Sequence, residues 1–444
     1  MAKKNVGLMV RFDESRRAGL IKLRVESEGY ESFSDALSIA DWNVGQLSVA
    51  LLSFSEDTLD YLCLARKGNQ VVTSKSKVEF STFVDLEALP IRVVERTLPT
   101  AIQHHFIKAS QGIGSSIPKG TWEVLIDAIK FLKPHLEQDI DRIISLQRFS
   151  GVRLHGVAAE IQVQEREALG AALDIFSGDN KLRTAVLSGW APPENGVTAV
   201  NEANGTAELS DNVPSFLSGI SSRYHHEESA IQHDLFNWEG MTPSHASGIS
   251  MFERAGRKLS VIYANRNPLE HTLGVDLIYY SERFELFVLV QYKIMRDEDG
   301  AMVYRPDSQL AAEMQRMDNF SVIANVAGAP VAHHEHRLND DGFLVKMVPN
   351  KGLMPASGEL IKGMYLSREY MHFLLGIYGP KGPRGGSCIT FENSPRYLTN
   401  SDFTSLVRAG WIGTRGVGSS LLKRLIKEYY ETGRALMVAH EGEF

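Results

Sequence analysis

The stretch "EHTLGVDLIYYSERFELFVLVQYKIMRDEDG", residues 270–300, sets a lone acid, Asp276, against an amide and a lysine, Gln291 and Lys293. The acid opens one apolar run and the other two close the next, which is made almost wholly of Phe, Leu and Val. Side chains alternate along a strand, so Gln291 and Lys293 share one face while Val290 and Tyr292 take the other. If the chain reverses through a two-residue loop at Arg283 and Phe284, Asp276 lies opposite Gln291. One residue more in the loop would send Asp276 to the other face. Together the three groups suit phosphodiester hydrolysis. A hard divalent ion, Mg²⁺ or Mn²⁺, takes oxygen ligands, and Asp276, the Gln291 amide oxygen and the Tyr292 carbonyl supply them. Lys293 adds positive charge for the phosphorane and for the attacking water. A further carboxylate is expected from Glu228 or Glu270; Glu228 is favoured, because a helix packed on a sheet holds its side chain rigidly.

The pattern of "GVDLIYY" followed by "FVLVQYK" resembles the D…(E/Q)xK core of the PD-(D/E)xK nuclease superfamily, in its Mrr-type QxK variant. The resemblance covers about residues 221–325. It implies a restriction-endonuclease-like fold and Mg²⁺-dependent cleavage of DNA, in bacterial restriction or phage defence. Two departures stand out: no Pro precedes Asp276, and neutral Gln291 replaces the more usual acid, so less negative charge faces the metal. The first 220 residues and the last hundred resemble no family.

These residues need elements to hold them. "SRYHHEESAIQHDLFNWEGM" reads as a helix with Glu228, Ile231 and Leu235 on one stripe, "RKLSVIYANRN" as a strand, and "DSQLAAEMQRMDNF" as a helix capped by Asp307 or Ser308. Helix, three strands and helix predict an α/β core, a mixed sheet flanked by helices. Before it, residues 1–105 read as a small β-rich domain, with strands in "QLSVALLSF", "DYLCLARKG", "QVVTSKSKVEFSTFV" and "IRVVERTL" and turns at "KGNQ" and near Pro90. Residues 106–190 read as helical, the first long helix ending or kinking at Pro134. Residues 191–220, rich in Gly, Pro, Asn and Ser, read as a linker. The nuclease-like domain is expected over 221–444, with a basic α+β extension from about 341.

At 444 residues, 43% of them hydrophobic, the chain is long enough for two or three domains. Cys63 and Cys388 are the two cysteines and lie far apart, which excludes a disulfide framework or zinc ribbon. The opening "MAKKNVGLMVRFDES" lacks an apolar signal core and no apolar run reaches membrane-spanning length, so a cytoplasmic protein is expected. The net charge of -7 argues against nucleic acid as a partner, yet residues 341–444 hold 13 Lys and Arg against 9 Asp and Glu. Within that surplus, Lys381, Arg384, Arg396 and Arg415 lie near Gly or Pro and are candidates to hold a DNA or RNA backbone. The loop from Gly413 to Gly418 could receive a phosphate at a helix beginning near Ser419; a tight turn with an N-cap gives the same pattern, and without a Walker lysine ATP hydrolysis is not expected. "VAHHEHRL" reads as a solvated loop. The N-terminal half is expected to sense or recruit, through a second copy or a partner protein. The competing reading is a catalytically degenerate module that binds nucleic acid or protein without cutting.

Overall fold

The computed structural model describes residues 7–26, 32–38, 47–72, 75–192, 196–201, 205–210, 216–219, 246–254, 256–264, 275–324, 330, 332–354, 357–415 and 436–443. The protein is mixed α/β, with three mixed sheets and ten α-helices among the described residues. The chain divides into two compact units: Met1–Gly151 with Ser188–Glu194, and Val152–Leu187 with Asn195–Phe444.

The first unit holds strands β1 (Gly7–Arg11), β2 (Phe33–Leu37), β3 (Leu47–Ser53), β4 (Thr58–Val72), β5 (Lys75–Pro90) and β6 (Gly114–Ile117), in the order β2-β5-β4-β3-β1-β6. Alternation in β3 explains why both faces are covered. Leu47, Val49 and Leu51 join a core with helices α2 (Ile91–Thr97), α3 (Thr100–Ser110), α4 (Lys119–Leu132) and α5 (Glu137–Arg148). Ala50 and Leu52 face a second core of Phe54, Phe80 and Phe83, joined by Leu20 of α1 (Glu14–Glu26). The β-rich and helical regions predicted as separate pieces therefore share one core up to residue 151.

Three local expectations change. The turn expected at "KGNQ" is strand, since β4 runs on through Lys67 and Gln70 to Val72 with a register shift between those two residues. "IRVVERTL" is helical: Pro90 opens α2, and Ile91, Val94 and Leu98 bury one stripe at helical spacing, overriding the β-propensity of its branched residues. The expected linker also contains strands, β8 (Val197–Asn201) and β9 (Thr206–Leu209), which form a small sheet with β7 (Arg153–His155). Ala207 and Leu209 alternate inward there, enough to order a Gly- and Asn-rich segment.

The second unit is built on a larger sheet. Its strands are β10 (Ala246–Arg254), β11 (Arg257–Ala264), β12 (Leu277–Ser281), β13 (Leu286–Glu298), β15 (Phe343–Pro349), β16 (Met364–Ser367) and β17 (Leu436–Glu443), in the order β10-β11-β17-β12-β13-β15-β16, with β14 (Ala301–Val303) on the end of β13. Helix α6 (Val157–Ser177) packs on one face, and α8 (Ser308–Ala324) and α9 (Arg368–Leu375) contribute Leu310, Met314, Met317, Met371 and Leu374 to the other. Covered on both sides, β13 is buried from Leu286 to Lys293, which is why it reads as a nearly unbroken apolar run. Helices α7 (Lys181–Ser188) and α10 (Asn400–Arg408) complete the unit. No helix among the described residues is long and apolar enough to cross a membrane.

Where α6 meets α7, Asp174 is nearly buried and faces the Arg183 guanidinium at 3.3 Å. Burial outweighs that cation and pushes the Asp174 carboxyl up to about 6. The folded value exceeds the ordinary 3.8, so the contribution to stability, about 3 kcal/mol, is full below about pH 4 and lost as pH rises through about 6. Asp174→Asn should therefore stabilise the protein against urea at about pH 8 and change little at about pH 4. A difference between variant and wild type that did not vary with pH would contradict this.

Candidate functional site

The β12–β13 hairpin has the register that a two-residue loop dictates. Leu277 opposes Val290 and Ser281 opposes Leu286, and the Glu285 N–H donates to the Glu282 carbonyl at 3.3 Å across Arg283 and Phe284. The turn is held from outside: the buried Arg337 guanidinium donates to the Phe284 carbonyl at 2.8 Å. Gly410, at φ +73, lets the chain pass against the Phe284 ring, which a Cβ would approach to 2.8 Å.

Extended by one step, this ladder sets Asp276 opposite Gln291. Asp276, however, stands just before β12 and leaves this ladder. Its N–H donates to the Val290 carbonyl at 2.9 Å, although Val290 already opposes Leu277, and Val275 is the residue that joins Ile278 and Tyr280 in the core. The Asp276 carboxylate turns onto the neighbouring peptide, where Oδ2 accepts the Tyr292 N–H at 2.7 Å. Strand N–H groups point along the sheet, so the carboxylate lies level with β13 beside the Gln291–Tyr292 peptide rather than high above either face.

Gln291 and Lys293 project towards α8. Gln291 is 2% exposed, its Nε2 reaches the Tyr292 carbonyl at 3.4 Å, and its buried Oε1 has no hydrogen-bond partner. Lys293 is 8% exposed and its ammonium meets Glu313 Oε2 at 2.5 Å. Glu313 is fully buried, on α8, and its Oε1 accepts from Gln309 at 3.0 Å. Asp307 caps this helix by accepting the Leu310 N–H at 2.8 Å. Glu313 escaped the sequence reading, although a signal was there: it interrupts the stripe Leu310, Met314, Met317 with a charge on the core side.

The opposite face carries a second buried charge cluster. Lys346 of β15 lies beside Tyr292 in the parallel ladder, and its ammonium meets Glu167 of α6 at 2.5 Å, over the Tyr365 ring at 4.9 Å. Glu167 also takes the Arg166 guanidinium at 2.9 Å and the Ile361 N–H at 3.0 Å. Burial pulls the Lys346 ammonium down, but Glu167 and Tyr365 more than reverse this and hold it above its ordinary value. Burial, with Tyr365 and Glu167 nearby, raises the Tyr292 phenol well above its usual range. Gln164 of α6 donates to the Tyr292 carbonyl at 3.2 Å, so the carbonyl expected to face a metal already accepts from two side-chain amides.

Glu228 and Glu270 lie outside the described residues, as do the loop expected beyond Arg415 and the helix expected near Ser419. Of the basic candidates, Arg415 pairs with Asp340 at 2.6 Å, and Lys381 closes its own loop through the Gly376 carbonyl and Ser387. Arg384 and Arg396 are exposed. His333, His334 and Glu335 form a short 3-10 turn, and among the described residues no group of three or more His, Cys, Asp or Glu is arranged to hold a metal. No protein-family model matches this chain, and no curated protein and no solved structure matches it either.

The Lys293–Glu313 pair gives a direct expectation. Lys293→Met leaves a fully buried carboxylate without its cation and should cost about 3–5 kcal/mol of stability in urea unfolding. Adding Glu313→Gln should recover most of that loss. Additive losses in the double variant would mean that the two side chains do not act as a pair.

Proposed function

We propose that the second unit is a metal-dependent nuclease that hydrolyses phosphodiester bonds of DNA, with its site at Asp276, Gln291, Lys293 and Glu313. One observation carries the reading: Gln291 Oε1 is buried with no partner, between an aspartate held on its own peptide and a lysine held by a glutamate. Buried acceptors are seldom left unsatisfied, and a hard cation is a fitting partner for an amide oxygen. Asp276 and Gln291 would hold a Mg²⁺ or Mn²⁺ ion, with Glu313 the nearby carboxylate. The ion supplies charge neutralisation at a phosphate. Lys293 then stands where positive charge stabilises a phosphorane, and Glu313 fixes its ammonium in place. The Tyr292 carbonyl drops out of the ligand set, since Gln164 and Gln291 occupy it. An antiparallel β12–β13 pair, β15 parallel to β13 and helices on both faces support a restriction-endonuclease-like core. The restriction or anti-phage setting rests on the resemblance alone.

A second reading has its own observation. Glu313 already neutralises Lys293, and the Tyr292 N–H already occupies one Asp276 oxygen, an arrangement that also suits a degenerate site that binds nucleic acid without cutting it. Cleavage assays separate the two. Purified protein incubated with plasmid, linear DNA and RNA should cut DNA only with Mg²⁺ or Mn²⁺. Asp276→Asn, which keeps an oxygen for the Tyr292 N–H, should lower the rate at least about a hundredfold without lowering the unfolding midpoint. Cleavage that survives chelation or this substitution would overturn the assignment, and salt-sensitive binding with no cleavage would favour the binding module.

A further inference from the structure

Apart from the Asp276 site, the second unit contains a cavity of about 850 Å³ between the end of α6, α7, the end of β15 and the first turns of α10. Its volume is that of pockets that enclose drug-sized ligands. Three lining residues carry buried polar atoms without a hydrogen-bond partner: Asp174 Oδ1, Arg183 Nε and Asn400 Oδ1. Arg183 is only 5% exposed and reaches its two carboxylates, Asp174 and Glu359, at a long 3.3 Å each. The α10 N-terminus is not the anchor, because Thr399 and Asp402 close a capping box there.

Charge is distributed unevenly over the walls. Asp174 and Glu359 face Arg183, and Asp179 is held by Arg254 at 2.7 Å. Lys351, Lys362 and Arg408 have no such carboxylate among the described residues. Arg408 lies flat against the end of α6, where Gly178, at φ +75, leaves the room its guanidinium fills. A further wall is aromatic, with Phe391 and Tyr397 packed edge to face at 5.9 Å.

Free cations call for an anion, unsatisfied donors and acceptors for a group with both, and an aromatic wall for a flat apolar face. We propose that this cavity binds a nucleoside monophosphate, with its phosphate at Lys351, Lys362 and Arg408 and its base against Phe391 and Tyr397. The unsatisfied Asp174, Arg183 and Asn400 atoms belong to residues lining the same cavity and are the groups that would meet the base and sugar edges. None of these residues belongs to the Asp276 site, so the inference stands whether or not that site cuts.

Calorimetric titration of the full chain with AMP, GMP, CMP and UMP, and separately with adenosine and inorganic phosphate, tests it. At least one nucleotide should bind, and adenosine and phosphate should each bind at least about tenfold more weakly, having half of the contacts. The exposed pair Lys351→Ala with Lys362→Ala should weaken nucleotide binding at least about tenfold while the unfolding midpoint of the free protein stays in place. Ser405→Trp, which fills the cavity from the exposed side of α10, should abolish it. A 5′-phosphorylated dinucleotide that competes would identify nucleic-acid ends as the source, and one that does not would leave the free nucleotide. No binding of any of the four at millimolar concentration, or binding unchanged in both variants, would overturn the proposal and leave a water-filled cavity.

Discussion

Two buried ion pairs, one on each face of the larger sheet, constrain everything around them. Lys293 of β13 meets Glu313 of α8 on one face, and Lys346 of β15 meets Glu167 of α6 on the other, both at 2.5 Å. An ion inside a protein loses several kcal/mol of hydration, so each lysine requires its partner and each partner fixes a helix at one position along the strands. The register between β13 and β15, with Lys293 beside Met347 and Tyr292 beside Lys346, allows both pairs to form at once. A slip of one residue would place each ammonium against the apolar core of the wrong face.

That constraint explains the position of Gln291. With Lys293 tied to α8, the Tyr292 carbonyl tied to Gln164 of α6 and its ring under the Lys346 ammonium of β15, the peptide between Gln291 and Tyr292 has little freedom, and the Asp276 carboxylate closes on its N–H. The unsatisfied Gln291 oxygen is then a property of a rigid place rather than of a loose side chain. Rigidity of this kind is what a metal-ligand set requires, and it is why the proposed function rests on this atom.

Much of the arrangement was legible in the chain. The two-residue loop fixed the hairpin register, and the start of α8 was narrowed to a cap at Asp307 or Ser308, of which Asp307 takes the Leu310 N–H. What failed did so for local reasons. Asp276 left the alternation because it stands just before β12, where its N–H turns to the Val290 carbonyl, a backbone detail that side-chain periodicity does not encode. Glu313 was hidden in a helix read only for its N-cap, and Glu167 and Lys346 meet across a separation of 179 residues, which no local pattern reveals. In the first unit, "IRVVERTL" misled because branched residues favour strands, whereas Pro90 and the spacing of Ile91 and Val94 decide for a helix.

The central claim is that the Gln291 oxygen and Asp276 hold a divalent ion, and metal binding tests it without any nucleic acid. Electron paramagnetic resonance of Mn²⁺ titrated into the full chain counts free and bound ion directly. The account predicts one site at micromolar to millimolar affinity, weakened at least about tenfold by Gln291→Leu, with the fold retained because Oε1 loses no partner and Gln164 still donates to the Tyr292 carbonyl that the Gln291 amide gives up. Absence of bound Mn²⁺ at millimolar concentration, or binding that Gln291→Leu leaves unchanged, would contradict it.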